Sequence, residues 1–285
     1  MSTILSYEFM QNALLSGILA SIVCGIIGPF IVTRRMVFIS GGLSHTAFGG
    51  LGIAYWLGIR PLFGATAFVL AAAVLIGRLD EQRLSRNDLF IGILWAIGVA
   101  IGIIFIHITP GYAPDLMTFL FGNILTVPRT DVVIMLVLVL IVCGTVALFY
   151  NGFVAIALDE EYARARRLPV AALKMGLIVL TALTIVTLIQ VVGILLVIAL
   201  LTIPVAVASE LSRNFRRIML LSVLCGILIC LAGLTASYFI ELPSGASIIL
   251  IGGILLGLVK GVKRLAGRNS PAHRKRASRK ANGRD

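Results

Sequence analysis

DVVIMLVLVLIVCGTVALFY, residues 131–150, carries a charge only at its first position. At about 1.5 Å per helical residue a run of this length covers about 30 Å, the thickness of the hydrocarbon core of a bilayer. In that solvent the backbone must satisfy its own hydrogen bonds, so the segment is expected to be a transmembrane helix. Comparable runs recur at 10–33, 36–57, 62–79, 89–109, 172–189, 191–209, 218–239 and 245–262. The expected fold is therefore all-α and polytopic, with about nine transmembrane helices.

Composition points the same way. Of 285 residues, 59% are hydrophobic and 13% charged, with a mean hydropathy of +1.07; a soluble domain carries about 25% charged residues. The four cysteines (Cys24, Cys143, Cys225, Cys230) lie in apolar runs without C-x-x-C spacing, and read as small buried hydrophobes. The first apolar run is long and follows no basic segment, so no cleavable signal peptide is expected.

The net charge is +12, and ten of the 24 basic residues fall between Lys260 and Arg284. That stretch (Arg268, Arg274, Lys275, Arg276, Arg279, Lys280) has no aromatic side chain to stack on bases, so it reads as an arm drawn to anionic lipid rather than a nucleic-acid site. The expected organisation is a membrane domain over 1–262 and a disordered basic cytoplasmic tail over 263–285. Assigning Arg34 and Arg35, the loops 78–88, 151–174 and 210–217, and the tail to the cytoplasm places 22 of the 24 basic residues there, leaving only Arg60 and Arg129 outside. The N-terminus is then outside and the C-terminus inside. Residues 115–128, DLMTFLFGNILTVP, are too short to cross and are punctuated by Pro114, Gly122 and Pro128; they are expected to form an external or re-entrant half-helix.

All twelve acidic residues lie in the expected loops or at span ends, which argues against a proton pump or a carboxylate-driven antiporter. The ionisable side chain deep in the membrane is His45, about nine residues from Met36 and so about 13 Å deep. It sits in ISGGLSHTAFGG, residues 39–50, where four glycines and three hydroxyl residues suit a helix packed around a polar path. An intramembrane histidine is a functional candidate, and imidazole is a common transition-metal ligand. Ser40 and Ser44 are weaker candidates beside it. His107, near the outer end of its span, reads first as an interfacial histidine and second as a vestibule ligand. Glycines inside spans, such as Gly92, Gly98 and Gly102, permit close helix packing. Pro204 is expected to kink its span.

On the expected cytoplasmic side, ALDEEYARARRLPV, residues 157–170, reads as a short capped helix: Asp159 as N-cap, Glu160 and Glu161 in the first turn, arginines towards the end, Pro169 as the stop. Such a helix either docks in a groove of another protein or is a solvated loop. On the other side, Glu241 and Ser244 in the turn 241–245 could meet an external partner. No P-loop, H-E-x-x-H or G-x-S-x-G motif occurs, so the chain is expected not to be an enzyme and not to bind ATP through a P-loop of its own.

Arg35-Met36 followed by S-G-G-L-S-H, the loop D-E-E-Y-A-R-A-R-R-L-P-V, the span V-V-G-I-L-L-V-I-A-L-L-T-I-P-V-A-V-A and the late L-P-S-G together resemble the permease subunits of bacterial zinc, manganese and iron ABC importers, the ABC-3 family. The likeness covers most of the chain up to about residue 262. It implies a type II importer permease in the prokaryotic plasma (inner) membrane, homodimeric or heterodimeric. It also implies no permanently bound cofactor, a divalent metal as cargo, and ATP bound by a cytoplasmic ATPase subunit. That subunit would dock on a coupling helix at about 157–168 (Asp159, Glu160, Glu161, Ala163, Arg164), while an extracytoplasmic binding protein delivers the metal. Relatives commonly have G-D-x-L-S-H, with an aspartate one turn before the histidine; here that position is Gly41. A nitrogen-rich site without this carboxylate leans from manganese towards zinc or iron. Competing readings are an ABC permease for a siderophore or cobalamin, an ATP-independent channel or carrier, and a structural membrane protein.

Overall fold

A computed structural model describes residues 7–78, 84–110, 120–122 and 124–268, with side chains described at 88 and beyond in the second segment and up to 265 in the last. The described residues are helical and connecting, without strands. The helices are α1 (Glu8–Thr33), α2 (Val37–Trp56), α3 (Pro61–Gly77), α4 (Leu84–Ile108), α5 (Arg129–Leu158), α6 (Glu160–Ala165), α7 (Val170–Val192), α8 (Ile194–Leu211), α9 (Phe215–Ile240) and α10 (Ser244–Arg268), with a 3₁₀ turn at Ile124–Thr126. Eight are long and apolar enough to cross a membrane; α3, at 17 residues, is apolar but shorter.

The expected spans all correspond to helices, with altered ends. The apolar run of 131–150 sits in the 30-residue α5, which bends at Phe149 (φ −105°, ψ 15°) and continues to Leu158. The loop expected over 151–174 thereby shrinks to a short helical corner, because backbone that leaves the membrane still gains by completing its helical hydrogen bonds. The final helix runs to Arg268, so the boundary expected at 262 falls inside it, and the basic stretch from 269 lies outside the described residues. Residues 115–119 and 123 of the 115–128 segment also lie outside them. Its described remainder is Phe121–Gly122 against the α7–α8 junction and the 3₁₀ turn. Helix α8 is continuous through the buried Pro204.

Side-chain ties identify which loops share an end of the bundle. At one end Arg34 reaches Ile156 and Glu160, Arg216 lies over the ring of Tyr150, and Lys263 binds Glu210. At the other, Arg129 pairs with Glu8, and the Asn12 amide donates to the Val127 carbonyl at 3.1 Å. At this second end Gly193 alone joins α7 to α8 with φ +79°. A Cβ there would also lie 2.3 Å from the Gly122 nitrogen, so glycine is required by both torsion and close backbone approach.

Candidate functional site

Helix α2 is a poor intrinsic helix former, with five glycines between positions 41 and 52. Its stability comes from contact. A Cβ on Gly98 would lie 2.7 Å from Thr46 Cα, one on Gly102 2.4 Å from the Phe48 carbonyl, and one on Gly50 2.2 Å from the Gly64 carbonyl. Helices α2, α3 and α4 therefore meet at backbone distance, the small-residue packing by which membrane helices gain dispersion contact. This framework holds His45.

His45 is half-buried, and its ring stacks on Trp95 of α4, centroids 4.1 Å apart and planes 12° from parallel. The stack fixes the plane of the imidazole while leaving its edge available. Gly41 and His45, four residues apart, share one helix face. Among the described residues, nothing beyond its own helix comes within 4 Å of where a Cβ at 41 would sit, on the face that the histidine occupies.

The serines are placed differently. Ser40 and Ser44 share the next face, about 100° around the helix. Both are fully buried, and their hydroxyls donate to the Val37 and Ser40 carbonyls, each at 2.8 Å. Their hydroxyl protons are committed to local backbone bonds, and the two side chains lie off the face of His45. His107 does not join His45: it is exposed at the C-terminal end of α4, twelve residues or about 18 Å along the helix from Trp95. Among the described residues no group of three or more His, Cys, Asp and Glu is placed to hold a metal. Among the described residues the site thus offers one oriented imidazole, an arrangement that suits transient contact with a cation rather than tight capture.

At the Arg34 end, the short helix expected over 157–168 is α6, Glu160–Ala165. Asp159 caps it as anticipated, accepting from the Tyr162 N–H at 2.9 Å. It ends before Pro169, because Arg167 turns left-handed (φ 58°) and Pro169 instead precedes α7. Ala163 is fully buried and Glu160 faces Arg34, so these two belong to the inner side of α6; an outward contact role for Ala163 is excluded by its burial. The outward side carries Glu161, Tyr162 and Arg164. At the opposite end Glu241 is exposed in a left-handed turn (φ 57°), whereas Ser244 is 6% exposed and cannot form an open docking surface.

Sequence reasoning missed Trp95 and Arg34. The signal for Trp95 was a tryptophan in mid-span, when the interface is its usual place. Arg34 carried no comparable signal beside Arg35; only the structure buries its side chain, to 8% exposure.

Residues 6–260 match the ABC 3 transport family. An uncharacterized membrane protein of Synechocystis sp. is 44% identical over 250 residues, covering 88% of this chain and 89% of its own. The manganese transport system membrane protein MntC of Listeria monocytogenes is 35% identical over 88% of this chain and 90% of its own. Among solved structures, PsaBC from Streptococcus pneumoniae in complex with Fab contains a chain 31% identical, with a TM-score of 0.81 over 90% of this chain and 93% of that one.

Proposed function

The chain belongs to the ABC 3 transport family, and from this premise we propose that two copies form the membrane path of an importer that carries a divalent transition-metal ion past His45. It is an all-helical membrane permease whose relatives include metal transport proteins. The carrying observation for the site is the half-buried His45, clamped by Trp95, with nothing among the described residues within 4 Å of a Cβ at Gly41 on the same face. A polar ring in mid-span facing lipid is costly, so this face is best covered by a second copy, which brings a second imidazole to the path. Two neutral nitrogen ligands, with water completing the coordination, suit zinc or iron more than manganese. Loose ligation also lets the ion leave.

Energy comes from a separate cytoplasmic ATPase that docks on the outward side of α6, at Glu161, Tyr162 and Arg164. The sequence has no P-loop of its own. A metal-binding protein meets the opposite end, where Glu241 is the exposed acid. The cytoplasmic assignment of the α6 end is supported by the basic residues gathered there: Arg34, Arg164, Arg166, Arg216 and Lys263. The N-terminus of the chain then lies outside and α10 ends inside.

Metal uptake in cells or proteoliposomes tests the site. His45→Ala is expected to lower uptake at least about tenfold while folded protein is retained, a loss of about 1.4 kcal/mol or more in transport free energy. Unchanged uptake would remove His45 from the path. Glu161→Arg is expected to reduce co-purification of the ATPase and leave the membrane fold unchanged; full recovery of the ATPase would move the docking surface elsewhere.

A further inference from the structure

We infer that Arg34 and Glu160 form a positioning pair that ties the docking helix α6 to the turn between α1 and α2, and through it to the helix bearing His45. The inference rests on the reading of α6 as the ATPase contact.

The guanidinium of Arg34 donates to the Ile156 carbonyl at 3.0 Å and to Glu160 Oε2 at 3.1 Å. Ile156 lies in the last turn of α5 and Glu160 is the first residue of α6, so one planar fork spans the corner at Asp159. A lysine, with a single compact ammonium, cannot reproduce that bridge. Burial shields the contact from solvent: the Arg34 side chain is 8% exposed and that of Glu160 20%.

Glu160 is gripped from both sides. Its second oxygen takes Arg164, which lies one turn further along α6 and is 66% exposed. Removing Arg34 therefore does not strand the carboxylate, which separates a transmission role from a purely structural one. Outward-facing Arg164 also gives a docked partner a handle on the same carboxylate that Arg34 holds from within.

At its other end the pair meets a stiff element. Arg34 caps α1, Arg35 takes a left-handed turn (φ 57°), and the Met36 N–H donates to the Ile31 carbonyl at 2.8 Å. Helix α2 starts at Val37, eight residues before His45. Its backbone-level packing on α4, at Thr46 against Gly98 and at Phe48 against Gly102, has little side-chain volume to absorb strain. A shift of the α1–α2 turn thus enters α2 as a movement of the whole helix, and α6 acts on that turn through Arg34.

The test uses the full permease co-purified with its ATPase and binding protein in proteoliposomes, with zinc uptake and ATP hydrolysis measured together. Arg34→Ala is expected to keep the ATPase bound and hydrolysis within about twofold of wild type, while zinc moved per ATP falls at least about tenfold. Arg34→Lys should recover only part of the ratio. Glu160→Gln, a mild change at a partly exposed site, is expected to lower the same ratio and keeps the test decisive if Arg34→Ala does not fold. The inference is overturned if the ratio is unchanged in the variant that folds, or if uptake and hydrolysis fall in parallel. A wild-type complex that hydrolyses ATP but moves none of zinc, iron and manganese overturns the transport reading itself.

Discussion

Gly41 is the residue at which this chain departs from the pattern it otherwise resembles, and the structure leaves room for what is missing. With nothing among the described residues within 4 Å of its Cβ position, Gly41→Asp is expected to fold normally and to set a carboxylate one turn from the imidazole. Oxygen ligation favours manganese more than imidazole alone does. The ratio of manganese to zinc uptake at matched free concentrations should then rise about tenfold, equivalent to about 1.4 kcal/mol; an unchanged ratio would show that position 41 does not face the ion. His45 itself was legible from one line of sequence, as an ionisable group amid glycines in mid-span. Its partner Trp95 was not, because their 50-residue separation is closed only by the packing of α4 on α2. The placing of Ser40 and Ser44 was hidden for a related reason: adjacency in sequence puts them near His45, but the helical turn sends them to a different face.

At the scale of elements, the glycines divide into those that position α2 and those that do not. Gly98 sits against Thr46 Cα, whereas a Cβ at Gly92, on the same helix, meets nothing within 4 Å among the described residues. Gly98→Leu is expected to force α4 away from α2, destabilise the protein by about 1–3 kcal/mol and depress uptake; Gly92→Leu should leave both near wild type. Thermal unfolding in detergent and metal uptake check the pair, and equal effects would refute the packing assignment. Both residues look alike in sequence, since spacing alone cannot say which glycine meets another backbone. Helix α6 was readable in outline, with its cap at Asp159 and its acidic first turn. Its inner and outer sides were not, since only the fold turns Ala163 and Glu160 inward.

For the whole molecule the consequence that matters is sidedness. In a chain whose native cysteines are replaced by alanine, Glu241→Cys is expected to react with a membrane-impermeant maleimide in intact cells, and Asn214→Cys only after permeabilisation. The reverse pattern would invert the topology and place α6 outside. The membrane class, the helical content and most span positions were determined by sequence alone, because hydropathy over twenty residues is set by local composition and the bilayer leaves the backbone one way to satisfy itself. So was the presence of a lone histidine in mid-span. Tertiary structure alone decided that α5 runs unbroken by a loop to Leu158, that His45 is held by Trp95, and that Arg34 is buried against Glu160. Each of these depends on which helices become neighbours, and that choice is made by shape complementarity between distant segments, of which hydropathy carries no record.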